Sequence, residues 1–376
     1  MRTIVSFDAG TSGSKIIARY RSVEYPFEVV EKYFVVNPSV RQLTSRSYRS
    51  QLEFSEDARG VSGVVSYVDP SDKEPVYWDV GETATRPGPL LVSDRKCENL
   101  LAKILGFLGY LVTQEVDPQE LMELDLGILL PWDEFEDRRL LASWLRELLQ
   151  PTVGFNYNGQ PVNNIQLKKI DCKPEGYGIY KHSSSFKPTG VLIIGHSDSS
   201  WLYFYKGKMN LKLSQTLPET GMHDFLQELP FPITHELLAA KTIYEAGPNL
   251  KSKVLAQLTQ TKSEQEIELL QQAIKDAKSQ YWSDRRHQFK SLADVEQILV
   301  SGGTAHYFSK ELNQLFKQLK GVQLEWCTSL MDEFIQKFDI QESARSQLSH
   351  RFADCFSYYK TFVAKLQKET LVQTGG

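Results

Sequence analysis

Residues Asp8-Ala9-Gly10-Thr11-Ser12-Gly13-Ser14-Lys15 bring a carboxylate, two glycines, three hydroxyls and an ammonium into one short turn. Each type has a use around a polyphosphate. Gly10 and Gly13 let backbone N–H groups face an anion with no Cβ in the way. Thr11, Ser12 and Ser14 can donate to phosphate oxygens, and Lys15 can neutralise their charge. An acid in such a turn would repel phosphate on its own. Asp8 fits if a hydrated Mg²⁺ stands between it and the outer phosphates, because that ion keeps several waters and takes few carboxylates. The turn is no Walker loop: G-x-x-x-x-G-K-[ST] is absent, and Ile16-Ile17-Ala18-Arg19-Tyr20 continues as a strand where a Walker loop opens a helix.

Similar ingredients recur at Gly195-His196-Ser197-Asp198-Ser199-Ser200, and Ser301-Gly302-Gly303-Thr304 closes another strand with a glycine pair. A single fragment of this kind reads equally as a plain hairpin whose small residues serve only the turn. Two clasps with a glycine turn able to approach a base and sugar favour a nucleotide held between two lobes. The candidate nucleotide-binding residues are Gly10, Thr11, Ser12, Gly13 and Lys15, then Gly195, His196, Ser197, Asp198 and Ser199, then Gly302, Gly303 and Thr304. Asp8 through water, and Asp198, are the candidate metal contacts. For His196 the plainer expectation is a hydrogen-bonded turn histidine.

The elements that must position these turns alternate strand and helix, which indicates an α/β fold. Residues 3–8 and 14–20 are β-branched runs around the first turn, and Leu124 to Leu130 and Gly190 to Gly195 read as buried strands. Leu100, Leu101, Ile104, Leu105 and Leu108 lie at helical spacing, as do Leu140, Leu141, Trp144, Leu145 and Leu148. Ser263-Glu264-Gln265-Glu266 fits a capping box at the start of a long helix. An amphipathic helix carrying Leu348, Phe352, Cys355, Tyr359 and Phe362 closes the chain, and packing accounts for its Phe356, Tyr358 and Tyr359. Trp132, Trp201 and Trp326 adjoin apolar runs and are expected in the core. Residues 37–89, rich in Ser, Arg, Asp and Gly, read as a small inserted subdomain.

A length of 376 residues favours two domains or one bilobed domain. The net charge of −4 and the lack of a basic run argue against direct nucleic-acid binding. No apolar stretch nears the roughly 20 residues that span a bilayer, and the first residues lack a signal-peptide pattern, so a cytoplasmic location is expected. Cys97, Cys172, Cys327 and Cys355 are widely spaced with no C-x-x-C pair, and buried thiols are expected rather than disulfides or zinc.

With these motifs the sequence resembles the actin, sugar-kinase and chaperone ATPase superfamily, and most of all its ParM-type bacterial actins. Asp8 to Lys15 matches the first phosphate loop, Gly195 to Ser200 takes the place of the second, and Ser301-Gly302-Gly303 that of the adenosine loop. Tyr77 to Ala84 resembles the segment where the small subdomain rejoins its parent, and Lys173-Pro174-Glu175-Gly176-Tyr177-Gly178 the interdomain turn. Thr220 to Asp224 and Arg351 to Asp354 resemble the helix start after the second hairpin and the closing helix. One departure matters: Ile193 stands where such second loops carry an aspartate, which implies slow or rearranged hydrolysis.

The resemblance implies an actin-like, ribonuclease H-like bilobed α/β fold. Domain I would span 1–178 with an insertion at about 37–89, and domain II 179–376 with an insertion at about 216–285. It implies ATP or GTP with Mg²⁺, and catalytic roles for Glu175, holding the attacking water, and Asp8, acting through metal-bound water. The implied function is a nucleotide-dependent filament with slow hydrolysis coupled to polymerisation, serving plasmid segregation through a DNA-binding adaptor or serving as a bacterial cytoskeleton. A small-molecule kinase of the same superfamily would need a second substrate pocket, and no compact sugar-kinase signature is found. A nucleotide-binding scaffold with little hydrolysis is the other alternative.

Overall fold

The computed structural model describes residues 2–25, 28–55, 60–85, 96–183, 185–233, 235–292 and 294–374. The chain divides into two compact units, residues 1–178 with 355–376, and residues 179–354.

The first unit is built on a sheet of β1 (Arg2–Asp8), β2 (Ser14–Arg21), β3 (Val29–Val36), β7 (Met122–Leu130) and β10 (Ile165–Pro174), in the order β10-β7-β1-β2-β3. The first three strands form an antiparallel meander, and β7 and β10 run parallel to β1. Val5, Phe7, Leu124, Leu126, Ile128 and Leu130 pack in one core with the helix Lys96–Tyr110 and the helix Arg138–Leu148. Their alternation along β1 and β7 sends one set of side chains to that helical layer. Asp125, on the alternate set of β7, is buried and paired with Arg2 at 2.9 Å.

A second sheet in this unit joins β4 (Val40–Leu43), β5 (Gly63–Val68) and β6 (Pro75–Val80) to the hairpin β8 (Phe155–Tyr157) and β9 (Gln160–Val162), in the order β4-β6-β5-β8-β9. The inserted subdomain is therefore not residues 37–89 alone: β5 pairs with β8, so residues 155–162 complete its sheet. Residues 56–59 and 86–89 of the expected insertion lie outside the described residues. A buried ion pair between Arg41 and Asp79 (2.8 Å) ties β4 to β6, and Asp79 also accepts from Gln51 and Thr83.

The second unit repeats the plan of the first. Its sheet has the order β13-β12-β11-β14-β15, from β11 (Thr189–Ile194), β12 (Ser199–Tyr205), β13 (Lys208–Leu217), β14 (Gln297–Ser301) and β15 (Gln323–Glu325). Again three antiparallel strands are followed by two parallel ones. Between β13 and β14 lie helices including Met222–Gln227, Glu236–Ala246 and Glu264–Ser291, the last opened by Ser263 Oγ accepting from the Glu266 N–H.

The closing helix is Glu342–Thr374. From Cys355 onward it belongs with the first unit, whereas the sequence division put all of 179–376 in the second domain. The reason is packing against the first sheet: Cys355, Phe356, Tyr358, Tyr359 and Phe362 are buried, the Tyr358 hydroxyl donates to the Asp171 carbonyl on β10 at 2.7 Å, and Ser6 Oγ donates to the Cys355 carbonyl. All four cysteines are free thiols. Of the three tryptophans expected in the core only Trp201 is buried. Trp132 stacks on Phe135, and Trp326 donates to Asn313, both half-buried. No described helix is long and apolar enough to cross a membrane.

Candidate nucleotide site

The first turn joins β1 to β2 with Asp8 opposite Lys15 in register, and the Gly13 N–H closes it on the Gly10 carbonyl at 3.2 Å. Lys15 Nζ sits 2.6 Å from Asp8 Oδ2, so lysine and acid neutralise each other within the turn. Asp8 Oδ1 and Ser14 Oγ are buried and have no hydrogen-bond partner. Burying a carboxylate oxygen unsatisfied is costly, and the orphan is the atom a metal-bound water would need. A Cβ on Gly10 would come within 2.9 Å of Lys15 Nζ and 3.1 Å of the Gly13 carbonyl, so glycine keeps the lysine in reach of the turn.

β10 delivers Glu175 to the same edge of the first sheet. Asp8 pairs with Leu129 of β7, Pro174 pairs with Leu130, and the Glu175 N–H donates to the Leu130 carbonyl at 2.8 Å. Asp8 and the residue before Glu175 are thus separated by two strand spacings, roughly 10 Å. Cys172, on the same strand, is a thiol pushed up to about 12 by burial and is no nucleophile.

In the second unit the turn between β11 and β12 is held from three sides. The Gly195 N–H donates to the Asp198 carbonyl (3.0 Å), the Gly195 carbonyl accepts from Thr304 Oγ1 (2.6 Å), and the His223 N–H donates to the His196 carbonyl (2.8 Å). Parallel pairing of Ile193 with Ser301 sets the second turn beside the glycine turn. Gly302 has φ 106°, and a Cβ there would lie 2.3 Å from the Ile194 carbonyl oxygen, so only glycine lets the two turns approach this closely. Gly195 to Ser199 and Gly302 to Thr304 therefore form one cluster. Asp198 is exposed, and no group of three metal-ligating side chains occurs among the described residues. Ile193 lies across from Ser200, in the position where an acid is expected.

Sequence reasoning missed Glu236. Its Oε1 contacts His196 Nε2 at 2.6 Å and His223 Nδ1 at 2.9 Å. A carboxylate only accepts, so both ring nitrogens carry protons, which assigns the tautomers. Burial lowers the pKa of His196 against the opposing pull of Glu236, with His223 and Arg351 lowering it further, so the ring is a neutral structural donor. No signal in the sequence links Glu236 to His196, 40 residues away.

Behind the glycine turn, Ser301 Oγ donates to the His350 carbonyl, and the His350 ring stacks on His306 with centroids 3.6 Å apart. Burial, aided by the charge of His306, lowers His350 to about 4. A histidine depressed in the folded chain binds its proton more readily when unfolded, so stability is lost as pH falls from 6.5 toward 4. We expect His350→Phe, which keeps the stack and cannot titrate, to lose less stability than the parent between pH 7 and pH 5. The difference should be about 1–2 kcal/mol in urea unfolding followed at both pH values. Parallel losses in the two proteins would contradict the assignment.

No protein-family model matches the chain, and no curated protein matches it in sequence. Solved structures do. The actin-like protein Alp7A superposes with a TM-score of 0.63 at 12% identity over 100% of both chains. Bacillus thuringiensis ParM with AMPPNP gives 0.56 at 13% identity over 97% of this chain and 99% of that one. A hybrid with ADP containing two mutants of that ParM gives 0.59 at 12% over 97% of this chain, which spans 49% of the hybrid. The chain has the actin-like fold.

Proposed function

We propose that this actin-like chain binds a nucleoside triphosphate with Mg²⁺ and assembles into filaments under control of the bound nucleotide. The observation that carries the reading is the first turn: a buried carboxylate with one oxygen on Lys15 and the other unsatisfied, in a glycine and hydroxyl loop. Gly10, Thr11, Ser12, Gly13 and Lys15 would receive phosphate oxygens, as would Gly195, His196, Ser197, Asp198 and Ser199. Gly302, Gly303 and Thr304 would lie along the nucleoside. Asp8 would hold Mg²⁺ through water, and Asp198 is a further candidate for the ion. When bound, the ion neutralises charge on the outer phosphates. Glu175 would orient the attacking water. Likeness of fold to ParM, solved with AMPPNP, supports the nucleotide part of the reading.

Self-assembly follows from the resemblance to ParM-type actins. A head-to-tail contact that does not close gives a helical filament. Such a polymer would act in the cytoplasm, segregating plasmid DNA through a DNA-binding adaptor or serving as a bacterial cytoskeleton. Ile193 favours one variant of this reading, a filament with little phosphate release. The test is sedimentation with Mg²⁺ and ATP, GTP, or their slowly hydrolysed analogues, beside a direct nucleotide titration. Nucleotide-dependent pelleting is expected. A chain that binds no nucleotide in the presence of Mg²⁺ overturns the proposal, and binding without pelleting overturns its filament part.

A further inference from the structure

The helix Lys96–Tyr110 is a crossover element, leading into β7, which runs parallel to β1. Such a helix runs against the strands, so its first turns lie at their C-terminal edge, where Asp8 ends β1. Two contacts fix the register. Leu100 lines a small pocket with Leu130 and Glu134, just beyond the end of β7, and Phe107 packs edge-on against Phe7, the neighbour of Asp8, with centroids 6.1 Å apart. Lys103 lies three residues after Leu100 and four before Phe107, the spacing that keeps all three on one stripe of the helix.

Leu100, Leu101, Ile104, Leu105, Phe107 and Leu108 are all buried in the core, and Lys103 is the half-buried cation among them. It forms no hydrogen bond or ion pair among the described residues. Burial lowers its pKa, while the charges of Glu134 and Asp8 act to keep it protonated and that of Lys15 opposes them. Lys15, by contrast, is already engaged by Asp8 at 2.6 Å. An ammonium held in a partly desolvated position without an ion pair is costly unless an anion completes it.

We propose that Lys103 is a second phosphate-binding cation of the first turn, contacting the outermost phosphate and setting the preference for triphosphate over diphosphate. This rests on the nucleotide reading above. With Lys15 shared between Asp8 and the ligand, the extra charge of a terminal phosphate needs a further positive group, and Lys103 supplies it from the helical layer.

The experiment titrates AMPPNP and ADP, and GMPPNP and GDP, with Mg²⁺ into the parent, Lys103→Met and Lys103→Arg. Methionine matches the lysine stem in an apolar helix, and Lys103→Gln serves if it does not fold. We expect Lys103→Met to weaken triphosphate binding by at least about 10-fold and diphosphate binding by less than about threefold, with arginine restoring most of the loss. Equal weakening of both nucleotides, or no change in either, overturns the assignment. A parent that binds neither nucleotide sinks the functional reading itself, a distinct result.

Discussion

Asp8→Ala is expected to lose Mg²⁺-dependent nucleotide binding, with Kd rising by about 100-fold or more, equivalent to about 2.7 kcal/mol, and to lose nucleotide-dependent pelleting with it. On the proposed reading the two carboxylate oxygens would have separate tasks: Oδ2 anchors Lys15, and Oδ1, buried and without a hydrogen-bond partner, would accept from a metal-bound water. Alanine removes both, which leaves the mostly buried Lys15 ammonium without its counter-charge. A cation in that position attracts phosphate, so metal-free binding should persist or rise while the gain from Mg²⁺ disappears. That split separates a metal-linked Asp8 from one that only props Lys15. Calorimetric titrations with and without Mg²⁺ read it directly, and Asp8→Asn, which keeps the shape, controls for folding. An alanine variant that retains the full response to Mg²⁺ would refute the role given to Asp8.

The hairpins were legible because their requirements are local. A strand, a turn of glycines and hydroxyls and a second strand are written in consecutive residues at 3–20 and again at 190–205, and both units are built outward from them. The helix cap at Ser263 was legible for the same reason, although the Glu266 side chain bonds the N–H groups of Gln260 and Thr261 rather than closing on Ser263. The β8–β9 hairpin had a local signal too. Asn158-Gly159, with φ 48° and 76°, is the pair that suits a two-residue hairpin turn, yet its partner strand β5 lies about 90 residues earlier and pattern alone does not name it.

Features set by distant pairing left no local trace. Glu236 meets His196 only because a helix start comes to rest beside the second turn. Lys103 interrupts the apolar stripe of its helix as any solvated lysine would, and only the crossover direction puts it near Asp8. The closing helix shows the same limit. Its apolar face announced burial, but which sheet it covers past Cys355 was decided by partners such as Asp171 and Ser6.

Glu175→Gln should leave nucleotide binding and assembly near parental levels, slow phosphate release by about 100-fold, and so prolong the filament. Its backbone is fixed by the bond to Leu130, so the change is confined to the side-chain head. Register along β1, β7 and β10 puts Asp8 and Pro174, the residue before Glu175, roughly two strand spacings apart, and on the proposed reading the terminal phosphate and the attacking water would lie between Asp8 and Glu175. Phosphoryl transfer draws its catalysis from positioning and charge, so a neutral amide that keeps the shape should lose rate and keep affinity. Phosphate release measured at saturating nucleotide, beside light-scattering decay of assembled material, decides the matter. Unchanged release would assign Glu175 to the turn alone, and lost assembly would make it a binding residue.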